Sequence, residues 1–173
     1  MIKKTFLVLL LTWLISSCGF HPRSPATLAK PLQSLYFQSK DPYSALSRLL
    51  KQNLKMSGVS LASNAQEATT TLSILQESMG QDLLSINSSQ QTRQYNLHLT
   101  IVFQVSDSHG EVLVTPQTLT ETRTLTLQSN QVLAGSNQAA MLYNDMRRSI
   151  AYNIMNRLAS KDISKAINHV QGR

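Results

Sequence analysis

One segment limits the folds open to this chain more than any other, because apolar and polar residues alternate along it. On one side of the alternation lie Tyr95, Leu97, Leu99, Ile101, Phe103 and Val105. On the other side the polar residues are Asn96, His98, Thr100 and Gln104. Since successive side chains of a β-strand point to opposite faces, the pattern predicts a strand with one face against a core and the other against something polar.

A second strand is predicted from Thr118 to Leu127, where threonines occupy every other position. The threonine side comprises Thr118, Thr120, Thr122, Thr124 and Thr126, and the other side Leu119, Glu121, Arg123, Leu125 and Leu127. Threonine favours strands, and its hydroxyl suits either a solvated face or a face covered by a partner. Glu121 and Arg123 interrupt the leucines, so the pattern leaves open which face is inward.

Helical periodicity appears twice. Asp41-Pro42 predicts a helix start, with Asp41 as the cap, and the helix should end near Met56 with Gly58 in a left-handed cap. Its apolar face consists of Leu46, Leu49, Leu50 and Leu54. A second helix is predicted over 137–159, where an apolar stripe recurs every four residues. The stripe consists of Leu142, Met146, Ile150, Ile154 and Leu158.

The remaining strands complete the expected order. One is predicted over 32–38, and another from Thr69 that continues, bent at Gly80, through Ile86. A hairpin turn at 107–110 is followed by a short apolar segment and a break at Pro116. The order strand, helix, three strands, helix predicts an α+β, two-layer sandwich with two helices packed on one face of a four-stranded mixed sheet.

The beginning of the chain has the features of an exported protein that is modified at Cys18, the only cysteine. Lys3 and Lys4 form a positive region, an apolar run follows over 6–15, and Ile15-Ser16-Ser17-Cys18 resembles a bacterial lipobox. We therefore expect a lipoprotein signal peptide over 1–17 and a lipidated, proline-rich tether over 18–31. Gly19 stands where lipoproteins kept at the inner membrane have Asp, which favours the outer membrane. The alternative is an ordinary secretory signal with an incidental cysteine.

The expected domain spans 32–160, followed by a C-terminal segment over 161–173. In that segment Ile163 and Ile167 indicate a weak helical continuation, and the polar end is expected to be a flexible tail.

The composition is poor in charge. Asp, Glu, Lys and Arg make up 14% of the residues, against about 25% in typical soluble domains. The net charge of +7 falls to +5 without Lys3 and Lys4. A polar but uncharged surface suits burial against a polar partner, because desolvating hydroxyls and amides costs less than desolvating charges. A lineage bias toward Ser, Thr and Gln is the alternative explanation.

The sequence contains no motif for catalysis, metal binding or cofactor binding. His21, His98, His109 and His169 have no metal-ligand spacing, and no G-x-S-x-G or phosphate-binding glycine loop occurs. Turn-forming preference accounts for Asp107 and His109 better than a catalytic dyad does. The protein is therefore expected not to be an enzyme and to need no cofactor beyond the lipid on Cys18. The basic residues favour an anionic glycolipid over nucleic acid.

The segment Cys18-Gly19-Phe20-His21-Pro22-Arg23 resembles the start of the LPS-assembly lipoprotein family LptE, also called the RlpB type. Further matches follow in the order of the predicted elements across most of the mature chain. They are Ser39-Lys40-Asp41-Pro42, Leu46-Ser47-Arg48, Gln52-Asn53-Leu54, Gly58-Val59, Tyr95, Asn130-Gln131, Leu133-Ala134, Met141 and Arg157-Leu158.

This resemblance implies an outer-membrane lipoprotein, facing the periplasm, that lies as a plug inside the lumen of the barrel LptD. The pair would deliver lipopolysaccharide to the outer leaflet, and a polar lumen would explain the scarcity of charge. Family members are described as binding lipopolysaccharide through basic residues near the turn between the second and third strands and after the last strand. In those neighbourhoods this chain has Ser88 and Gly135. Arg93 and Arg123 are the nearest candidates here. The alternative is a free-standing, periplasm-facing, lipid- or envelope-binding lipoprotein without a barrel partner.

Overall fold

The computed structural model describes residues 28–87, 92–128 and 132–171, of which 132–134 and 168–171 are described by their backbone alone. The predicted signal peptide, the lipidation site Cys18 and most of the predicted tether therefore lie outside the described residues. So does Ser88.

Three long antiparallel strands form the body of a five-stranded sheet. They are β3 (Thr70–Ile86), β4 (Thr92–Asp107) and β5 (Val112–Gln128). Two shorter strands, β1 (Ser34–Ser39) and β2 (Ser60–Leu61), extend the sheet in parallel, so the strand order is β2-β1-β3-β4-β5. This mixed sheet with helices packed against it confirms the α+β class. The fifth strand, β2, was not predicted, because two residues carry no periodicity.

The helices are α1 (Ala45–Met56), α2 (Val132–Leu158) and α3 (Lys161–Gln171), and a short 3₁₀ turn at Lys30–Gln33 precedes β1. The long helix α2 packs across β4 and β5, and α1 packs beside α2. None of the described helices combines the length and the apolar character that crossing a bilayer requires.

The core lies between the sheet and this helical layer, where the two predicted periodicities meet. From β4 it receives Leu97, Leu99, Ile101, Phe103 and Val105, all without measurable exposure. The helices contribute side chains that are at most 1% exposed. They are Leu46, Leu50, Leu54, Met146, Ile150, Ile154 and Leu158. Burying a side chain of this size contributes about 1.5–3 kcal/mol. The apolar faces assigned from the sequence are therefore the core.

Helix α1 begins three residues later than an Asp41 cap would require. Ser44 is the N-cap, and its hydroxyl accepts from the backbone N–H of Ser47 at 3.1 Å. The Asp41 carboxylate instead accepts from the backbone N–H of Tyr43 at 3.0 Å, closing a turn before the helix. Serine caps a helix as well as aspartate does, so the sequence offered two equivalent starts. Gly58, with φ +80°, takes the left-handed conformation just past the helix end.

The pairing of the long strands is interrupted by register shifts in β3 and in β5. Pro116 does not break β5, because the register shifts from Phe103↔Gln117 to Val105↔Val114 and places the proline in a bulge on an edge strand. Proline is tolerated there since no ladder donor is needed. In β3 the register shifts after Ile74 and after Leu83, rather than at Gly80.

The hairpin between β4 and β5 accounts for the residue pair that resembled a dyad. The Asp107 carboxylate accepts from the backbone N–H groups of His109 and Glu111, both at 2.8 Å. Gly110 supplies the positive φ of +89° that the turn requires. Asp107 is therefore used in forming the turn.

Residues 161–171 form α3, and two of its side chains belong to the core. Ile163 is 6% exposed and Ile167 is fully buried. The helical continuation that these isoleucines indicated extends through Gln171, so the described part of the C-terminal segment is packed onto the domain.

The face of β5 that carries Glu121 and Arg123 is the face toward the helices. The Glu121 carboxylate accepts from the hydroxyl of Ser149 at 2.7 Å and from the side-chain amide of Asn153 at 3.2 Å, both on α2. It also pairs with Arg123 at 3.1 Å. A charge can lie beneath the helix here because the helix supplies polar partners for it. The threonines consequently lie on the opposite side of the sheet.

We predict that Glu121→Ala lowers the free energy of unfolding by about 1–3 kcal/mol, because it leaves the polar groups of Ser149, Asn153 and Arg123 without their acceptor. Glu121→Gln keeps an acceptor oxygen at the same place and should cost less than half as much. Urea denaturation followed by circular dichroism measures both. Equal losses in the two variants would contradict the role assigned to these hydrogen bonds.

Candidate interaction surface

The side of the sheet away from the helices is not covered by any described element, and we call it the open face. By strand alternation and register it comprises Gln76, Ser78, Gly80 and Asp82 of β3, Gln94, Asn96, His98, Thr100, Val102 and Gln104 of β4, and Thr118, Thr120, Thr122, Thr124 and Thr126 of β5. Hydroxyls and amides predominate, and Asp82 and His98 are the only acidic or basic side chains among these residues. The open face is therefore polar and almost uncharged.

Hydrogen bonds between neighbouring strands order parts of this face. The hydroxyls of Thr100 and Thr120 lie 3.1 Å apart across β4 and β5. The hydroxyl of Ser85 donates to the side-chain oxygen of Gln94 at 3.1 Å near the far end of the β3–β4 hairpin. Each of the threonines 118–126 on β5 remains exposed. Their hydroxyls are thus oriented outward and able to bond to a partner.

His98 lies at the centre of the open face, directly over Gly80 of the neighbouring strand. A Cβ atom placed on Gly80 would lie only 1.9 Å from Nε2 of His98, so the imidazole occupies the space that any other residue would need. Nδ1 of His98 lies 3.5 Å from the carboxylate of Asp82. The absence of a side chain at Gly80 therefore leaves the space that the imidazole occupies.

On the helix side of the sheet, two residues of α2 make polar contacts with β3. The hydroxyl of Tyr143 donates to the carbonyl oxygen of Gly80 at 2.7 Å. Burial raises the pKa of this phenol above its usual value, and the nearby positive charge of Arg147 opposes that shift. Arg147 also pairs with the carboxylate of Glu77 at 3.0 Å. Gly80 is thus fixed from both sides of the sheet, by His98 and by Tyr143.

The predicted lipopolysaccharide contacts, Arg93 and Arg123, lie on adjacent strands on the helix side of the sheet. Their register partners are Leu127 and Leu97, so they are separated by four positions along the sheet, or about 13 Å. Arg123 is engaged by Glu121. Arg93 is exposed, and no carboxylate of the described residues lies within 4.0 Å of it. The structure therefore places the two arginines in one region but in different electrostatic surroundings.

The second half of β3 carries exposed apolar side chains that were not predicted from the sequence. The strand β1 pairs with β3 only as far as Ser39↔Ile74, so no described strand pairs with that edge of β3 beyond Ile74. The exposed apolar side chains there are Leu75, Met79, Leu83, Leu84 and Ile86. The register places Met79, Leu83 and Ile86 on the helix side of the sheet, and it places Leu75 and Leu84 at the two register shifts. A strand was predicted there, but the periodicity did not show that these side chains stay exposed.

The described residues form a two-layer α+β domain with helices on one face, a polar open face on the other, and no group of three or more His, Cys, Asp or Glu side chains that could hold a metal. These features define a binding or assembly domain.

Comparison with known proteins identifies the family. The model of the family described as "LptE: Lipopolysaccharide-assembly" matches residues 32–158. The chain belongs to the LptE family, and this membership implies an LPS-assembly lipoprotein role, without enzymatic activity. The expected family and the expected non-enzymatic role are thereby confirmed.

Curated relatives are similar over most of their length. The LPS-assembly lipoprotein LptE of Pectobacterium atrosepticum is 28% identical over 165 residues, which cover 94% of this chain and 89% of that protein. The protein of the same name from Yersinia enterocolitica is 29% identical over 144 residues, 83% of this chain and 69% of that protein.

Solved structures share the fold. The rare lipoprotein B of Shewanella oneidensis superposes with a TM-score of 0.65 at 24% identity, covering 75% of this chain and 96% of that one. A lipoprotein B of Nitrosomonas europaea, solved by NMR, gives a TM-score of 0.69 at 20% identity and covers 87% of this chain and 96% of that one.

We predict that Gly80→Ala lowers the free energy of unfolding by about 1 kcal/mol, because the new methyl group overlaps the imidazole of His98, which must rotate away. In a His98→Ala background the same substitution should be neutral or slightly stabilising, since the obstacle is gone and alanine restricts the unfolded chain. A double-mutant cycle by urea denaturation measures the difference. Equal costs in both backgrounds would show that His98 does not determine the need for glycine.

Proposed function

We propose that this protein is an outer-membrane lipoprotein, anchored by acyl chains on Cys18 and facing the periplasm, that lies inside the lumen of the LptD barrel. In that position it assists assembly of the barrel and takes part in delivering lipopolysaccharide to the outer leaflet. The observation that carries the proposal is the open face, which is wide, polar and almost uncharged.

The cost of desolvation explains why such a face suits a barrel lumen. A charged group loses far more hydration free energy than a hydroxyl or an amide when a partner covers it. The interior of an outer-membrane barrel is polar, so it can return hydrogen bonds to the threonine, glutamine and asparagine side chains. A protein surrounded by water has no comparable reason to avoid charge on a surface of this size.

The apolar edge of β3 supports a partner of large area. Of the ten exposed large hydrophobic residues in the described chain, five lie between Leu75 and Ile86. Exposed apolar side chains concentrated on one segment in this way are typical of an interaction site. The open face and this edge adjoin along β3, so a single enclosing partner would contact both.

Affinity purification tests the partnership. Tagged full-length protein, extracted from outer membranes in mild detergent, should co-elute with one dominant barrel-sized protein at equal stoichiometry. Intact-mass analysis should find the mature chain beginning at Cys18 and carrying acyl chains, and Cys18→Ala should lack them. An acylated monomer without a stoichiometric partner would support the free-standing lipid-binding lipoprotein instead.

The contribution of the open face requires separate variants. We predict that the double substitution Thr118→Asp and Thr124→Asp reduces the co-purified barrel protein at least tenfold, because two carboxylates would be desolvated at the interface. Neither threonine takes part in the cross-strand Thr100–Thr120 contact. The matched control, Gln52→Asp with Gln66→Asp, adds the same charge at exposed positions off this face. Equal losses in both pairs would refute the role of the open face.

The two arginines are proposed to contact lipopolysaccharide phosphates. We predict that Arg93→Gln lowers the affinity for lipopolysaccharide about tenfold or more, since it removes a charge-assisted bond from an arginine that has no carboxylate within 4.0 Å among the described residues. Arg123→Gln should lower it less, because Glu121 already compensates Arg123. Binding of fluorescent lipopolysaccharide to the full-length protein in detergent measures both. Unchanged affinity in the two variants would remove these residues from the site.

A further inference from the structure

We propose that a groove beside β1 is a docking site for an extended, acidic segment of a partner protein, which adds to the sheet as a strand. The groove has a volume of about 470 Å³ and lies between β1, α1 and the chain that follows α1. Its principal lining residues are Phe37, Ser39, Lys51, Lys55, Leu61 and Ser63. It lies at the opposite edge of the sheet from β5, away from the threonines.

The first observation is an unfinished strand pairing. On its outer edge β1 pairs with β2 only at Ser34↔Ser60 and Leu35↔Leu61, and the backbone N–H of Ala62 donates to the carbonyl of Leu35 at 3.0 Å. On its inner edge β1 pairs with β3 as far as Ser39. Because alternate residues of a strand bond to the same neighbour, Phe37 and Ser39 direct their backbone groups outward, where no described strand lies. An added strand would satisfy these groups.

The second observation is positive charge without a counterion. Lys51 and Lys55 lie one turn apart on α1 and both line the groove, whereas none of the groove's lining residues is acidic. Among the described residues, no carboxylate lies within 4.0 Å of either ammonium group. By contrast, the arginine in the neighbouring groove, Arg147, is paired with Glu77 at 3.0 Å.

Lys51 is held in place for this role. Its ammonium group donates to the carbonyl of Pro42 at 3.3 Å and lies 5.4 Å from the centre of the Phe37 ring. Two weak contacts of this kind restrict the flexible side chain, so less entropy is lost when it pairs with an anion.

The geometry favours a polypeptide strand over an anionic lipid headgroup. Carboxylates on alternate residues of a strand are about 7 Å apart, and lysines four residues apart on a helix have Cβ atoms about 6 Å apart. A segment with acidic residues at i and i+2 would therefore reach both lysines while its backbone pairs with β1. A headgroup would use the lysines but leave the strand edge unpaired.

The test uses full-length protein in detergent and a fluorescent nonapeptide of alternating glutamate and valine. Fluorescence anisotropy should show saturable binding, and Lys51→Gln with Lys55→Gln should weaken it at least tenfold. Lys161→Gln with Lys165→Gln, on the exposed side of α3, is the matched control and should leave binding unchanged. A peptide of the same sequence with alternate backbone nitrogens methylated, so that its pairing edge lacks donors, should bind at least tenfold more weakly.

Each contrary outcome overturns the proposal. Equal binding of the methylated peptide would mean that the lysines attract charge without strand pairing. Binding to phosphatidylglycerol vesicles, lost in the Lys51 and Lys55 variant, without binding to the peptide would assign the groove to a lipid surface. Amide hydrogen exchange of the wild-type protein gives a readout independent of any substitution, because strand addition should protect Phe37 and Ser39. Peptide binding and hydrogen exchange test the groove separately from the co-purification experiment, so the two proposals can fail independently.

Discussion

The two faces of β4 differ in what they can contact, and this difference determines the arrangement of the other elements. Every second residue from Leu97 to Val105 is fully buried, so that face must be covered by apolar side chains. Helix α2 provides them through a stripe with a four-residue repeat. The polar face of the same strand has no such need. The three described helices therefore lie on one side of the sheet, and the other side is left for solvent or a partner.

The unequal lengths of the strands create the remaining surfaces. β3 has seventeen residues and β1 has six, so β1 covers only the first part of the β3 edge. β2 has two residues and covers still less of β1. Where a strand extends past its shorter neighbour, its backbone N–H and C=O groups remain unpaired at the edge of the sheet. Natural proteins usually protect such edges with bulges, charges or proline. The protein does so with Pro116 in β5 and with bulges in β3. β1 itself contains no bulge, proline or charged residue, and the charges beside its outer edge come from Lys51 and Lys55 of α1.

Periodicity made β4, the core face of α1 and the core face of α2 predictable, because burial imposes a repeat of two in a strand and of about four in a helix. Long-range geometry was not predictable in the same way. Which face of β5 turns inward depends on the polar partners that α2 supplies for Glu121. The position of His98 over Gly80 depends on the register between β3 and β4. The candidate groove joins Phe37 to Lys51 and Lys55 through tertiary packing. No local pattern in the sequence brings those three residues together.

The distribution of charge then separates two kinds of surface. Beneath and beside α2 the carboxylates of Glu77 and Glu121 are paired with arginines, so charge is compensated inside the domain. The open face presents hydroxyls and amides, while the groove presents Lys51 and Lys55 without a carboxylate among its lining residues. Salt screens the attraction between exposed charges but has little effect on hydrogen bonds between neutral groups. Contacts made through the groove should therefore weaken as ionic strength rises, whereas contacts made through the open face should persist.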